Sequence, residues 1–240
     1  MTGPPGPAGS GGPAGAASEP YNRFTGQSLD RLTALSDGLF AVAMTLLVLD
    51  VRVPVSEAGA ALSDHGLWAA LLTQGPNFAA YLLSFSMLGT FWLAQHGLLG
   101  ILGRCDRTLT WINLGFLFVV SLLPFSAALL AHYVHLRLAV GVYWLNIVLL
   151  GAGLEASARY GRRALLPADA GPARSRLAVF RRRILLAQTL YTLAALVCLA
   201  STVASVIALA VVQLYFIVSP RWPRRSGPPR PADLPRPGDQ

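Results

Sequence analysis

The 240-residue sequence contains no lysine, and all nineteen of its basic side chains are arginine. Charge of either sign is scarce: Asp, Glu, Lys and Arg make up 12% of the residues, while 54% are hydrophobic. Soluble domains keep roughly a quarter of their residues charged, so an ordinary water-soluble fold is excluded. There are two cysteines. Cys105 lies in a short polar connection and Cys198 in the middle of an apolar run, which supports neither a disulfide framework nor a spaced metal site. The opening stretch, MTGPPGPAGSGGPAGAASEP, lacks the charged start and apolar core of a signal peptide. No paired nucleophile and base, nucleotide motif or metal cluster is visible. Ser36 beside Asp37 has no oxyanion-hole context, so the sequence is not read as an enzyme and no cofactor is expected. The arginines flank apolar stretches instead of forming one patch with interleaved aromatics, so the net charge of +8 does not imply a nucleic-acid partner.

What the sequence has instead is a series of apolar runs of about twenty residues, the length that crosses a bilayer. Six spans are expected in one repeat of an all-helical, polytopic membrane protein. The first runs from about Leu32 to Val53 and the second from about Asn77 to Leu102, with residues 66–75 as an interfacial segment ahead of Pro76. The third covers about Leu109 to Ala131 with a kink at Pro124, and the fourth about Leu138 to Ala158. After an arginine-rich loop, Ile184 to Val218 is expected to hold two short helices joined by a tight turn near Ser201. The six-span domain is thus 28–219, between disordered tails at 1–27 and 220–240 that are rich in Gly, Pro, Ala and Arg. Only Arg52 and Arg137 fall on the side reached after an odd-numbered span, so the positive-inside rule predicts that both termini are cytoplasmic.

Three polar groups are expected at one depth inside this apolar frame. Asp37 lies six residues beyond Arg31, His96 eight before Arg104, and Asn113 six after Arg107, or about 9 to 12 Å from the helix ends. An intramembrane acid is costly unless it is paired or meets water. Two readings are open: hydrogen-bonded ties between helices, or a titratable site in a conduction path. Beyond Asp37, Val42, Thr45 and Leu49 follow at steps of five, three and four along one face. They suit a narrow pore with apolar rings and a single hydroxyl layer, or plain packing in which Thr45 bonds back to the carbonyl of Ala41. AVGVY, residues 139–143, echoes a carbonyl-lined filter in letters only, because it sits inside an unbroken apolar span with no re-entrant pore loop.

Several motifs then carry a family resemblance. RLTALSDG resembles the R-x-x-x-F-S-D-G signature of the transmembrane protein 175 family, the endolysosomal potassium channel and its bacterial relatives. FWLAQH is similar to the aromatic-Trp-x-x-His-His element of the second span, WINLGFLFVVSLLPF to the W-x-N-L…S-L-L-P-F of the third, and YWLNIVLLG to the Y-x-x-N of the fourth. Leu35 stands where the family has Phe, and Gln95 where it has the first of two histidines, so His96 alone inherits the imidazole role. The resemblance implies a pore lined by the first helix. It also implies a homotetramer, since this chain has a single S-D-G and bacterial members carry one repeat and assemble as tetramers. The constriction then maps to Val42, Thr45 and Leu49, and a structural polar network to Arg31, Ser36, Asp37 and His96, with Asn113 at the same depth.

These readings converge on one expectation, a passive potassium-permeable leak channel with a hydrophobic gate in a bacterial plasma membrane. Its partners would be the lipid bilayer, further copies of itself, and potassium and other monovalent cations as permeants. Two alternatives are kept: a proton pathway through Asp37 and His96, and a non-conducting membrane scaffold.

Overall fold

The computed structural model describes residues 19–51 and 63–218, and within them every regular element is helical. Residues 1–18 of the expected N-terminal tail, the expected C-terminal tail, Arg52 and Val53 lie outside the described residues. Eight α-helices follow in order: α1 (Glu19–Leu46), α2 (Asp64–Thr73), α3 (Gly75–Leu102), α4 (Arg107–Ser121), α5 (Leu123–His132), α6 (Arg137–Tyr160), α7 (Gly171–Leu196) and α8 (Thr202–Val218). Five segments are long and apolar enough to cross a membrane: Leu29–Leu49, Asn77–Leu102, Arg107–His132, Arg137–Leu165 and Gly171–Leu199. Thr202–Val218 is apolar but shorter, about 25 Å at the helical rise.

Local chemistry accounts for the boundaries. α3 carries a proline in its first turn, where a missing N–H costs nothing, and ends at Gly103, whose φ of 66° is the left-handed conformation glycine adopts without penalty. Asp106 caps α4 by accepting the Leu109 N–H at 2.8 Å, and Ser63 caps α2 through the Gly66 N–H. Pro124 produces more than the expected kink. The chain turns at Leu122 and restarts as α5 with the proline in its first turn, and the two pieces together form one membrane-length segment.

Three expectations are corrected. α1 begins at Glu19, so residues 19–27, assigned to the tail, are helical; Pro20 sits in the first turn, and the helix runs into the apolar span without a break. The stretch read as an arginine-rich loop is largely helix. Gly161–Leu165 closes α6 with a π turn, and α7 starts at Gly171, thirteen residues before Ile184. Its arginines are interleaved with Leu177, Phe180 and Ile184, buried at helical steps of three and four, so the stretch is an amphipathic first half of a long helix. α7 is therefore not short. The tight turn near Ser201 is present, between the 3-10 turn Val197–Leu199 and α8.

α6 is the most buried of the membrane-length helices and holds the others in place. Val140, Tyr143, Ile147 and Leu150 are fully enclosed, and the Tyr143 hydroxyl lies 3.2 Å from Ser84 Oγ on α3. Close approach is permitted where α6 lacks a side chain: a Cβ on Gly153 would sit 3.0 Å from the Phe116 ring. At its other end α6 carries Glu155, a buried carboxylate that the sequence reading passed over. Its Oε1 accepts from Arg159 Nε at 2.8 Å and from Arg181 Nη2 on α7 at 2.6 Å. Arg159 is mostly exposed and one turn away on the same helix, whereas Arg181 is partly buried and crosses to α7. Removing the cross-helix cation leaves a buried carboxylate with only a solvated partner. Arg181→Ala is therefore expected to destabilise the purified protein by about 3 kcal/mol, and Arg159→Ala by at most about 0.5 kcal/mol. Thermal unfolding in one detergent would check this, and equal losses would remove the clamp between α6 and α7.

Candidate pore helix and its polar anchors

α1 has two faces. Leu32, Ser36, Phe40, Ala43 and Leu47, at steps of four, four, three and four, are buried against the rest of the chain. The opposite stripe, Arg31, Leu35, Gly38, Val42, Thr45 and Leu49, repeats at four, three, four, three and four, the spacing of a helix seam that meets other helices. Every member of that stripe is exposed, Val42 at 56% and Leu49 at 70%. Thr45 Oγ1 donates to the Val42 carbonyl at 2.8 Å, three residues back and not to Ala41. Its proton is thus used within the helix, and the oxygen lone pairs are left to face outward. Leu49 falls in the tighter 3-10 turn Leu47–Asp50 that ends the span.

The face behind the stripe is held by a chain of buried amides and a hydroxyl. Gln95 Nε2 on α3 donates to Ser36 Oγ on α1 at 3.0 Å and to Asn113 Oδ1 on α4 at 3.0 Å. Ser36 Oγ in turn donates to the Leu32 carbonyl at 2.8 Å, and Asn113 Nδ2 to the Leu109 carbonyl at 3.1 Å. All three side chains are 2% exposed. Each donor meets an acceptor, so the polar burial is offset inside the bundle, as an environment without water requires.

Asp37, the next residue after Ser36, points elsewhere. Its Oδ1 accepts the Trp92 indole N–H at 2.7 Å, and the Trp92 ring lies 5.8 Å from that of His96, one turn further along α3. Among the predicted network residues, Ser36 and Asn113 are joined through Gln95, while Asp37 and His96 are both neighbours of Trp92. Arg31 is exposed on the stripe, and among the described residues no hydrogen bond or ion pair reaches it. Sequence reasoning missed Gln95 as the hub, because it was read only as a departure from a histidine pattern. The available signal was its position one residue before His96, on the α3 face that carries Leu88 and Phe91. A second buried chain, Tyr191 Oη to Gln213 Oε1 at 2.6 Å and Gln213 Nε2 to Thr90 Oγ1 at 2.8 Å, ties α7, α8 and α3 and was also missed. Cys105, in the connection between α3 and α4, is buried, which pushes its thiol up and keeps it protonated and unreactive.

A helical bundle of several membrane-length segments that buries its polar groups between helices, and in which none of the described residues covers the far face of α1, is a polytopic integral membrane protein. Residues 31–124, which hold the whole stripe and the Ser36–Gln95–Asn113 chain, match the family described as "Endosomal/lysosomal potassium channel TMEM175". It is 38% identical over 130 residues to a potassium channel of Streptomyces collinus, covering 52% of this chain and 61% of the relative. It is 35% identical over 102 residues to the endosomal/lysosomal proton channel TMEM175 of Homo sapiens, covering 41% of this chain and 20% of that one. The chain thus spans less than two thirds of the length of these curated relatives. The crystal structure of a lysosomal potassium-selective channel TMEM175 homolog from Chamaesiphon minutus superposes with a TM-score of 0.69 at 28% identity, covering 80% of this chain and 97% of that one.

Replacing the Gln95 amide tests the hub directly. Gln95→Leu strands two acceptors and is expected to cost about 1 to 2 kcal/mol. Gln95→Glu, which sets acceptors against Ser36 and Asn113, is expected to cost more at neutral pH than Gln95→Leu. Unfolding midpoints of the two variants would check the order, and a Gln95→Glu variant as stable as the parent would show that Nε2 is not the atom facing them.

Proposed function

We propose that this protein is a passive, potassium-permeable cation channel whose pore is lined by α1. The observation that carries the reading is the exposed stripe of α1, held in a fixed azimuth from behind by Ser36 while none of the described residues packs over its outer face. Around a fourfold axis, four such helices would set Val42, Thr45 and Leu49 as successive rings. Two apolar rings would restrict ions by dewetting, and the outward lone pairs of Thr45 would be the oxygens an ion meets. The relatives named as potassium channels and the potassium-selective structural neighbour support this reading.

The finer architecture belongs to the same proposal. α8, joined tightly to α7, would be a sixth span crossing a locally thinned or tilted part of the bilayer. There would be one six-span repeat per subunit and no re-entrant loop, in a homotetramer. Both termini would lie on the cytoplasmic side of a bacterial plasma membrane. Conduction is passive, so no catalytic group, resident metal or cofactor takes part, and potassium enters only as the permeant. Arg31, Ser36, Asp37, His96 and Asn113 would serve the register of α1 and not ion contact.

The Asp37–Trp92–His96 alignment favours one second reading, a proton pathway, in keeping with the relatives named proton channels. The two readings separate in proteoliposomes. Under a potassium gradient, potassium flux is expected from the parent chain, with Leu49→Ala raising the rate and weakening sodium rejection, and Thr45→Ala lowering the preference for potassium. If potassium flux is absent and a pH-sensitive dye reports current that disappears in Asp37→Asn, the proton pathway replaces the potassium channel.

A further inference from the structure

Arginine serves two different purposes at the end of the bundle where α3 stops, α4 starts and α6 runs into α7. The connection from α6 to α7 opens on the π turn Gly161–Leu165, closed by the Leu166 N–H donating at 2.9 Å to the Gly161 carbonyl five residues back. Gly161 lets the end of α6 come against α3, since a Cβ there would collide with the Leu102 side chain. Guanidiniums from other elements take the carbonyls beyond the turn. Arg104, between α3 and α4, donates to Leu165, and Arg174 on α7 donates to Leu166 at 3.2 Å and to Pro167 at 3.0 Å. Tyr160 Oη donates to Asp106, the cap of α4, so the connection is fastened to the α3–α4 junction and to α7. Leu165 and Leu166 are buried beneath it.

Arg162 and Arg163 lie on the outside of this fastened turn. Both are exposed, and among the described residues neither has a hydrogen bond or an ion pair. Arg159, one turn earlier, is mostly exposed and gives its Nε to Glu155. From Arg159 to Arg174 the chain carries four arginines against one acid, Asp169, so the surface is strongly positive. Neighbouring guanidiniums on a fixed backbone repel one another, and an anion between them relieves that cost. The turn closes the membrane-length segment Arg137–Leu165, so it stands where that segment leaves the hydrocarbon, at the height of the lipid phosphates. A guanidinium holds a phosphate through a two-pronged, charge-assisted contact while its methylene stem lies along apolar surface. Arg104 and Arg174 hold the backbone in place beforehand, so binding orders two side chains and no loop.

We propose that the π turn at the end of α6 binds one anionic phospholipid of the adjoining leaflet, with its phosphate held between Arg162 and Arg163 and Arg159 as a flanking charge. Arginines engaged by backbone carbonyls build the seat, and the two unengaged ones bind the headgroup. The site exists whether or not α1 lines a pore.

Native mass spectrometry of the full chain released from detergent, after titration with dioleoyl phosphatidylglycerol or dioleoyl phosphatidylcholine, tests the site. Phosphatidylglycerol is expected to be retained about tenfold more tightly, a difference of about 1.4 kcal/mol. Arg162→Gln combined with Arg163→Gln is expected to abolish that preference, and each single substitution to reduce it about threefold, which gives the same reading should the double variant fail to fold. Arg176→Gln combined with Arg182→Gln removes the same charge from the exposed side of α7 and is expected to leave the preference intact. An equal loss in that control pair would mean attraction to diffuse charge only and would overturn the proposal. So would equal retention of the two lipids by the parent chain, or a preference that survives in the Arg162 and Arg163 double variant. An excess of sn-glycerol 3-phosphate is expected to leave the bound lipid in place; displacement of phosphatidylglycerol by it would assign the turn to a soluble phosphate instead.

Discussion

The Gln95 amide is the constraint on which the arrangement of α1 depends. One nitrogen with two protons reaches an oxygen on α1 and an oxygen on α4, both 3.0 Å away. Inside hydrocarbon, apolar packing alone tells a helix little about its rotation, because lipid tails and leucine side chains offer similar surroundings. A buried donor that must find its acceptor does fix the rotation, since every other azimuth leaves polar atoms unpaired. Once Ser36 is pinned inward, Val42, Thr45 and Leu49 face away from the described bundle.

The same device recurs at other contacts. Tyr143 meets Ser84, Gln213 links Tyr191 to Thr90, and Glu155 joins α6 to α7 through Arg181. These helix pairs, which would otherwise slide or rotate in an apolar medium, are registered by polar contacts, α6 and α7 by several. Glycines complete the packing where a neighbouring side chain lies over the helix, as at Gly151, whose missing Cβ leaves room for the Gln188 side chain. The bundle therefore combines precise internal registration with a large apolar exterior, including the exposed stripe of α1.

Apolar runs and their proline and glycine punctuation made most of the helices legible. Asn77–Leu102 matches the segment read from hydropathy, and the turn near Ser201 is where the run between Ile184 and Val218 suggested it. Hydropathy failed at the arginine-rich stretch before Ile184, because averaging over a window hides an amphipathic helix whose apolar side is only Leu177, Phe180 and Ile184. It failed again at Glu155, which one acid in a long apolar run did not bring to notice until Arg181 was found across the helix interface.

The sequence by itself determined that the chain is helical and membrane-embedded, and it pointed to Asp37, His96 and Asn113 as groups needing partners, because a polar residue within an apolar run is visible in the order of residues; Ser36 entered through the family resemblance. It also placed Val42, Thr45 and Leu49 on one face, which follows from the helical period. Only the tertiary structure decided who the partners are: Gln95 for Ser36 and Asn113, and the Trp92 indole for Asp37 in place of a cation. Hydrogen bonds are short and directional, so they are set by which helices stand side by side and at what height, and neither quantity is encoded in the spacing of residues along any one helix.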